Sequence, residues 1–157
     1  MRIQAITLWQ PWATLVALGE KKIETRGWVA SYRGPLAIHA AKKADGALRQ
    51  LCDSSPYLGL LQKHGFGRFD DLPLGAVVAV VDFTWAGRSE VIRPRLQSNG
   101  DEQELLLGDY SPDRWGWYFE NIRPLKRPVM ATGAQGLWYW DVPVNLQRPL
   151  GLSKPRI

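Results

Sequence analysis

Residues 76–85, Ala-Val-Val-Ala-Val-Val-Asp-Phe-Thr-Trp, open with six consecutive apolar positions and are rich in β-branched side chains. Such a run suits a long strand in the middle of a sheet, because both alternating faces are apolar. Shorter segments are arranged around it. Ile3–Trp9 alternates and reads as a first strand. Pro11 suits a first helical residue, and Trp12, Leu15, Val16 and Gly19 fall on one helical stripe, with Gly19 placed as a left-handed stop. Lys22–Arg26 reads as a short strand, Gly34-Pro35 as a turn, and Leu36–Ala40 as a compact apolar strand.

Residues 43–65 read as helix in two pieces, with Ser55-Pro56 capping the second and Gly65 ending it. Asp70–Gly75 is a turn-rich link. From Gly87 to Asp113 the pattern weakens, broken by Pro94, Asn99-Gly100 and Gly108, and one helical turn is expected near Gln103–Leu107. Trp115–Ile122 alternates again, with Trp115, Trp117 and Phe119 on one face, and Gly136–Val142 closes the series as a short strand. From Asn145 the chain is polar and proline-bearing, and a loosely held tail is expected. The order β-α-β-β-α-α-β-loop-β-β lacks the regular alternation of a doubly wound sheet. It points to an α+β domain with a small, curved, mixed sheet or barrel.

At 157 residues the chain fits one domain, divided here into 1–145 and a polar tail at 146–157. A single cysteine, Cys52, excludes an internal disulfide and a multi-cysteine zinc site; it falls in a helix and is read as packing. No metal and no cofactor are expected. No apolar run approaches the roughly 20 residues of a membrane helix, so no membrane partner is expected. Met1-Arg2-Ile3-Gln4 shows no cleavage signal, and a cytoplasmic location is expected.

The net charge of +5 is unevenly placed. Residues 1–49 hold eight basic side chains against three acids, and the remainder balances. Within that remainder, 101–113 carries only acids. A basic N-terminal third suits a polyanionic partner. In Gly19-Glu20-Lys21-Lys22-Ile23-Glu24-Thr25-Arg26, a strand would put Lys22, Glu24 and Arg26 on one face. Cations there could hold phosphate while the carboxylate orients them or accepts a donor from a base. The competing reading is a solvated edge strand with a weak surface ion pair.

The pattern G-x-K-x-x-E-x-R, carried by Gly19, Lys21, Glu24 and Arg26, resembles the hallmark of the ASCH domain family. Leu8-Trp9-Gln10-Pro11-Trp12-Ala13 before it and Arg33-Gly34-Pro35-Leu36-Ala37-Ile38-His39-Ala40 after it are similar to the family's flanks. Gly108–Trp117 resembles its G-D-Y-S-P-G-R segment, with Asp113 where glycine is expected, and Gly133–Trp138 resembles its closing G-x-x-G-L-W. The likeness runs from about Ile3 to Val142. It implies a PUA-like fold, a small mixed β-barrel with helices packed at one side, and a motif strand lining a cleft near the helix that begins at Pro11. It also implies RNA or a modified nucleotide as partner. Some members resemble amidohydrolases that act on acetylated cytidine, and others are associated with ribonuclease activity. In the small amidohydrolases the motif lysine is catalytic and a threonine stands at the position of Glu24, so that activity does not simply carry over.

The ligand-contact candidates are therefore Trp9, Trp12, Lys21, Glu24, Arg26, His39, Lys42, Ser111 and Arg114. Aromatic faces beside cations can stack bases, although most of the eight tryptophans should pack the core or its rim. His39 ends an apolar strand, where a hydrogen-bonded core histidine is the common outcome, yet Lys42 and Lys43 follow closely. Ser111 could donate to a ligand or simply close its own turn. Three functions remain. The first is a binding module for single-stranded RNA or a modified nucleotide. The second is a hydrolase (ribonuclease or acylcytidine amidohydrolase) in which Lys21 is the base or electrostatic stabiliser and Glu24 the general acid/base. The third is a protein–protein adaptor presenting exposed aromatics. The oligomeric state is left open.

Overall fold

A computed structural model describes residues 1–152. Six strands are present: β1 Arg2–Leu8, β2 Ile23–Arg26, β3 Gly34–Ala40, β4 Ala76–Arg88, β5 Trp115–Met130 and β6 Trp138–Asp141. The α-helices are α1 Trp12–Ala17, α2 Gly46–Cys52, α3 Tyr57–Lys63, α4 Ser89–Asn99, α5 Glu102–Leu107 and α6 Val144–Gln147. One mixed sheet holds the strands in the order β2-β5-β4-β3-β1-β6. Only β1 and β3 pair in parallel. The apolar run 76–81 is buried along its length and lies inside the sheet between β3 and β5, as its composition requires.

The sheet does not close into the expected barrel. Its edges are β2 and β6, each four residues long, and they do not pair with each other. The domain is an α+β fold on an open, curved sheet. Both faces are nevertheless covered. Ile6, Leu8, Leu36, Ile38, Val81, Phe83 and Trp117 turn to one side, against Ala13 and Val16 of α1. Ile3, Ala5, Ala37, Val80 and Trp140 turn to the other, where Leu146 of α6 and Leu150 pack. Helices therefore lie on both faces, not at one side only. Leu15 of α1 joins a third cluster with Leu48, Cys52, Tyr57 and Leu61 of α2 and α3. Burial there pushes the Cys52 thiol up to about 11, which suits a packing residue. No helix among the described residues is long and apolar enough to cross a membrane.

Three stretches differ from the sequence reading. The weakly patterned 87–113 contains α4, eleven residues long with Pro94 inside it. Only Ser89, Ile92 and Leu96 of this helix are buried, so its apolar stripe is faint, and proline is a strong contrary signal. Gly100, at φ 73°, ends that helix in the left-handed conformation. Strand β5 continues past Ile122 through Pro124 and Pro128 to Met130; its pairing with β4 shifts register three times, and such irregularities accommodate proline. The tail expected to be loose from Asn145 packs instead, through α6 and the buried Leu150. Its remainder, 153–157, lies outside the described residues.

The turn between α1 and β2 is fastened by Glu20. Its carboxylate accepts from Lys63 Nζ at 2.8 Å, His64 Nε2 at 2.9 Å and Gln103 Nε2 at 2.9 Å, tying α3 and α5 to the start of the motif strand. The Lys63, His64 and Gln103 donors hold its pKa at about 2, against an ordinary 4.5. The folded state thus releases this proton more readily than the unfolded chain, so the stabilisation is complete above about pH 4.5 and fades as pH falls towards 2. Glu20→Gln should cost on the order of 1–2 kcal/mol at neutral pH, a figure discounted for the exposure of Lys63. Urea titrations at descending pH should show the gap between the two proteins narrowing below pH 4.5; a gap independent of pH would contradict the assignment.

Candidate functional site

Strand β2 sits at one end of the sheet order and β1 next to the other end, yet the curl of the sheet brings them face to face. Arg26 spans the gap: its Nη2 donates to the Thr7 carbonyl at 2.7 Å. Two cavities open along this seam. One, of about 550 Å³, is lined by Trp12, Glu24, Thr25, Tyr57, Asp109 and Arg114 among others. The second, of about 720 Å³, is lined by Trp28, His39, Lys42 and the 131–136 loop. Thr7, Trp9 and Arg26 belong to both.

The smaller cavity has the more unusual floor. Glu24 is only 8% exposed. One carboxylate oxygen accepts from the Thr25 N–H at 3.1 Å, while Oε2 is buried with no protein partner. Arg26 Nε is likewise buried and unpartnered. A buried acceptor and a buried donor, two residues apart in one strand and both without a protein partner, are costly to maintain, and functional sites are where such costs are found. Trp12 meets Tyr57 edge-on, with ring centres 6.0 Å apart. Trp9 stands 49% exposed with Lys43 Nζ 3.9 Å from its ring centre.

The Gly108–Trp117 segment docks directly on β2. The Asp109 N–H donates to Thr25 Oγ1 at 2.9 Å, Arg114 Nη2 donates to the Thr25 carbonyl at 3.1 Å, and Arg114 Nε donates to the Asp109 carbonyl at 3.0 Å. Asp109 also pairs with Arg114 through its carboxylate. Gly108 permits the approach, since a Cβ there would lie 2.8 Å from the Tyr110 ring and 3.2 Å from Thr25 Cγ2. Asp113, where glycine was expected, adopts φ 65°, the conformation a glycine would take. Its N–H donates to Glu90 and its carboxylate accepts from Arg88 at 3.0 Å, so side-chain bonds offset the strain. Ser111 turns away from the cavities: its hydroxyl donates to the Asp109 carboxylate at 2.6 Å and closes the turn.

Lys21 has an unexpected place. It is 1% exposed and lines neither cavity. Its ammonium donates to the Ile23 carbonyl at 2.6 Å and the Leu107 carbonyl at 3.0 Å, joining β2 to the end of α5. Burial lowers its pKa from the ordinary lysine value, opposed by the charges of Glu24 and Glu104. Glu104 itself is pushed up by burial; it accepts from the Lys22 N–H at 2.6 Å. Thr25, which with Ser111 is a hydroxyl the sequence offers to a hydrolase, accepts from the Asp109 N–H instead, whereas Glu104, Thr7, Tyr57 and Asp109 carry no distinguishing signal in the sequence. The signal is three-dimensional: segments remote in sequence bring Thr7, Tyr57 and Asp109 to the cavity that β2 lines, and Glu104 to the Lys22 N–H at its start.

In the larger cavity His39 is a hydrogen-bonded strand residue. Its Nε2 must be the donor to the Ala131 carbonyl at 2.7 Å, because a carbonyl can only accept. Nδ1 therefore accepts from the Thr7 hydroxyl at 3.1 Å, and the Trp138 indole N–H donates to the same hydroxyl at 3.1 Å. Burial lowers the His39 pKa, favouring this neutral ring. The arrangement anchors the start of the 131–136 loop. Gly133 lies so close that a Cβ would come within 2.6 Å of Thr7 Oγ1 and 2.7 Å of the His39 ring.

Comparison with known proteins agrees with this architecture. The family model described as ASCH domain matches residues 6–126. The crystal structure of ASCH from Zymomonas mobilis superposes with a TM-score of 0.52 at 14% identity, covering 96% of this chain and 95% of that one. Two crystal structures of ZmASCH point mutants from the same organism give TM-scores of 0.51, at 13% and 12% identity, each over 96% of this chain and covering 98% and 96% of theirs. At these identities the likeness is one of fold. Among curated proteins no match is found.

Proposed function

The chain belongs to the ASCH domain family, a PUA-like group associated with RNA binding, and from that premise we propose that the seam between β1 and β2 binds single-stranded RNA or a nucleotide-like ligand. The observation that carries the reading is the pair of buried atoms without a protein partner, Glu24 Oε2 and Arg26 Nε, in two residues that line the cavity with Trp9 and Trp12. A carboxylate acceptor next to a guanidinium donor suits the hydrogen-bonding edge of a base, and an adjacent indole suits its face. In this reading Trp9 stacks a base and Trp12 walls the pocket. Glu24 and Arg26 hold the base edge, and Arg114 and Lys42 supply positive charge at either end. His39 orders the loop beside the ligand, Ser111 shapes the turn that carries Arg114, and Lys21 supports the motif strand from beneath.

Fluorescence anisotropy with labelled single-stranded RNA tests it. Affinity should fall steeply between low and moderate salt, as phosphate contacts demand. Trp9→Ala should weaken binding by about 1–3 kcal/mol, roughly 5- to 150-fold, with the melting temperature little changed. A folded protein whose RNA binding ignores both salt and Trp9→Ala would refute the proposal. Gel analysis of the same mixtures adds a check: RNA cleavage that disappears in Glu24→Gln would replace binding by hydrolysis as the role of the site.

A further inference from the structure

The two cavities that share Trp9 and Arg26 differ in electrostatic character. The smaller one mixes Arg26 and Arg114 with Glu24 and Asp109. The larger has Arg26 and Lys42 on its wall and no carboxylate. Its far side is the loop 131–136, and none of the N–H groups of residues 132–136 donates to an acceptor among the described residues. Both ends of this loop are fixed, by His39 at Ala131 and by the Leu137–Trp138 segment packed on the sheet. Lys42 is fixed too. Its stem lies across Gly75, where a Cβ would sit 2.9 Å from Lys42 Cγ and 3.0 Å from Cε. Gly75 has φ 65°, a conformation that favours glycine, and its missing Cβ leaves the space the lysine stem occupies. A cavity lined by two cations and by a loop whose N–H groups are free of protein acceptors, and by no carboxylate, has the composition of an anion receptor.

We infer that the larger cavity is a phosphate subsite: Lys42, Arg26 and the 132–136 backbone hold a phosphate attached to the nucleoside whose base occupies the smaller cavity. The inference rests on the base-binding reading above and adds a ligand class to it. The ligand is a phosphorylated nucleoside or an oligonucleotide; a free nucleoside fills only half of the seam. Trp9 is the partition, and Arg26 serves both compartments because its guanidinium reaches the boundary between them.

Tryptophan fluorescence titrations with the common ribonucleosides, their 3′- and 5′-monophosphates, and the dinucleoside monophosphates separate the possibilities. At least one phosphorylated form should bind roughly tenfold or more tightly than its parent nucleoside, the worth of hydrogen bonds to a charged group. A gain confined to the dinucleoside monophosphates identifies an internal diester; a gain with a monophosphate identifies a terminal group. Inorganic phosphate should compete with the phosphorylated ligand and spare the nucleoside. In Lys42→Gln the ratio between the two affinities should fall towards one. Equal affinity for nucleoside and nucleotide in the wild-type protein overturns the phosphate subsite and leaves base binding intact. A phosphate gain that survives Lys42→Gln overturns the placement of the subsite. Absence of binding by every ligand overturns the base-binding reading and this inference together.

Discussion

Lys21→Ala is expected to destabilise the fold by about 3–5 kcal/mol, the range for removing one member of a buried charged network. For a domain of this size that corresponds to a fall in melting temperature of roughly 6–20 °C. The loss has three parts. The Ile23 and Leu107 carbonyls lose their donor, the space of a fully buried side chain empties, and the buried carboxyl groups of Glu24 and Glu104 lose a neighbouring cation. Lys21→Met keeps most of the side-chain volume and should recover part of the loss. Thermal melts of both variants decide the matter. If Lys21→Ala melts with the wild type while losing ligand binding or turnover, the lysine is a contact or catalytic group, as it is in the small amidohydrolases its motif resembles, and the supporting role is wrong.

The second large effect is on binding. Arg26→Ala should weaken affinity for single-stranded RNA by about 2–5 kcal/mol, at least roughly 30-fold, because it strips a desolvated charge from the centre of the seam. Its bond to the Thr7 carbonyl goes as well, so a modest fall in stability accompanies the loss. Glu24→Gln separates recognition from folding. The amide oxygen can still accept from the Thr25 N–H, while the open Oε2 acceptor becomes an NH₂ donor. Anisotropy should report weakened binding in Glu24→Gln with an almost unchanged melting curve. Unaltered affinity in both variants would remove the two residues, and the cavity they floor, from the interface.

Much of this architecture is legible in the chain itself. The apolar run 76–81 dictates an interior strand, and alternation over Lys22–Arg26 locates β2, while a cleft beside it is what the family resemblance implies. Residue pattern alone could not separate the roles within that motif. Lys21 follows the left-handed Gly19, where strand alternation has not begun, so its direction is set by the carbonyl of Leu107, 86 residues away. Glu24 and Arg26 share a face as alternation requires, and both line the smaller cavity. Helix α4 was hidden by Pro94 and a faint stripe, and the length of β5 by Pro124 and Pro128. In each case tertiary packing outweighs a local signal that is correct on average. The open edge of the sheet was hidden for a related reason: closure depends on how far strands curl, which no single segment encodes.

A sealed barrel resists widening at every point, since any expansion must break a backbone ladder. Here one line of the wall is stitched by a side chain, Arg26 to the Thr7 carbonyl, where neighbouring strands would otherwise be laced by several backbone bonds. Mechanical compliance is thereby concentrated along the same line as the two cavities. In the proposed binding mode a flat ring entering the seam would strain this one side-chain bond and leave the backbone ladders of β1, β3, β4 and β5 intact. The guanidinium that latches the seam also lines both cavities, so on the proposed reading occupancy and closure would draw on the same few hydrogen bonds.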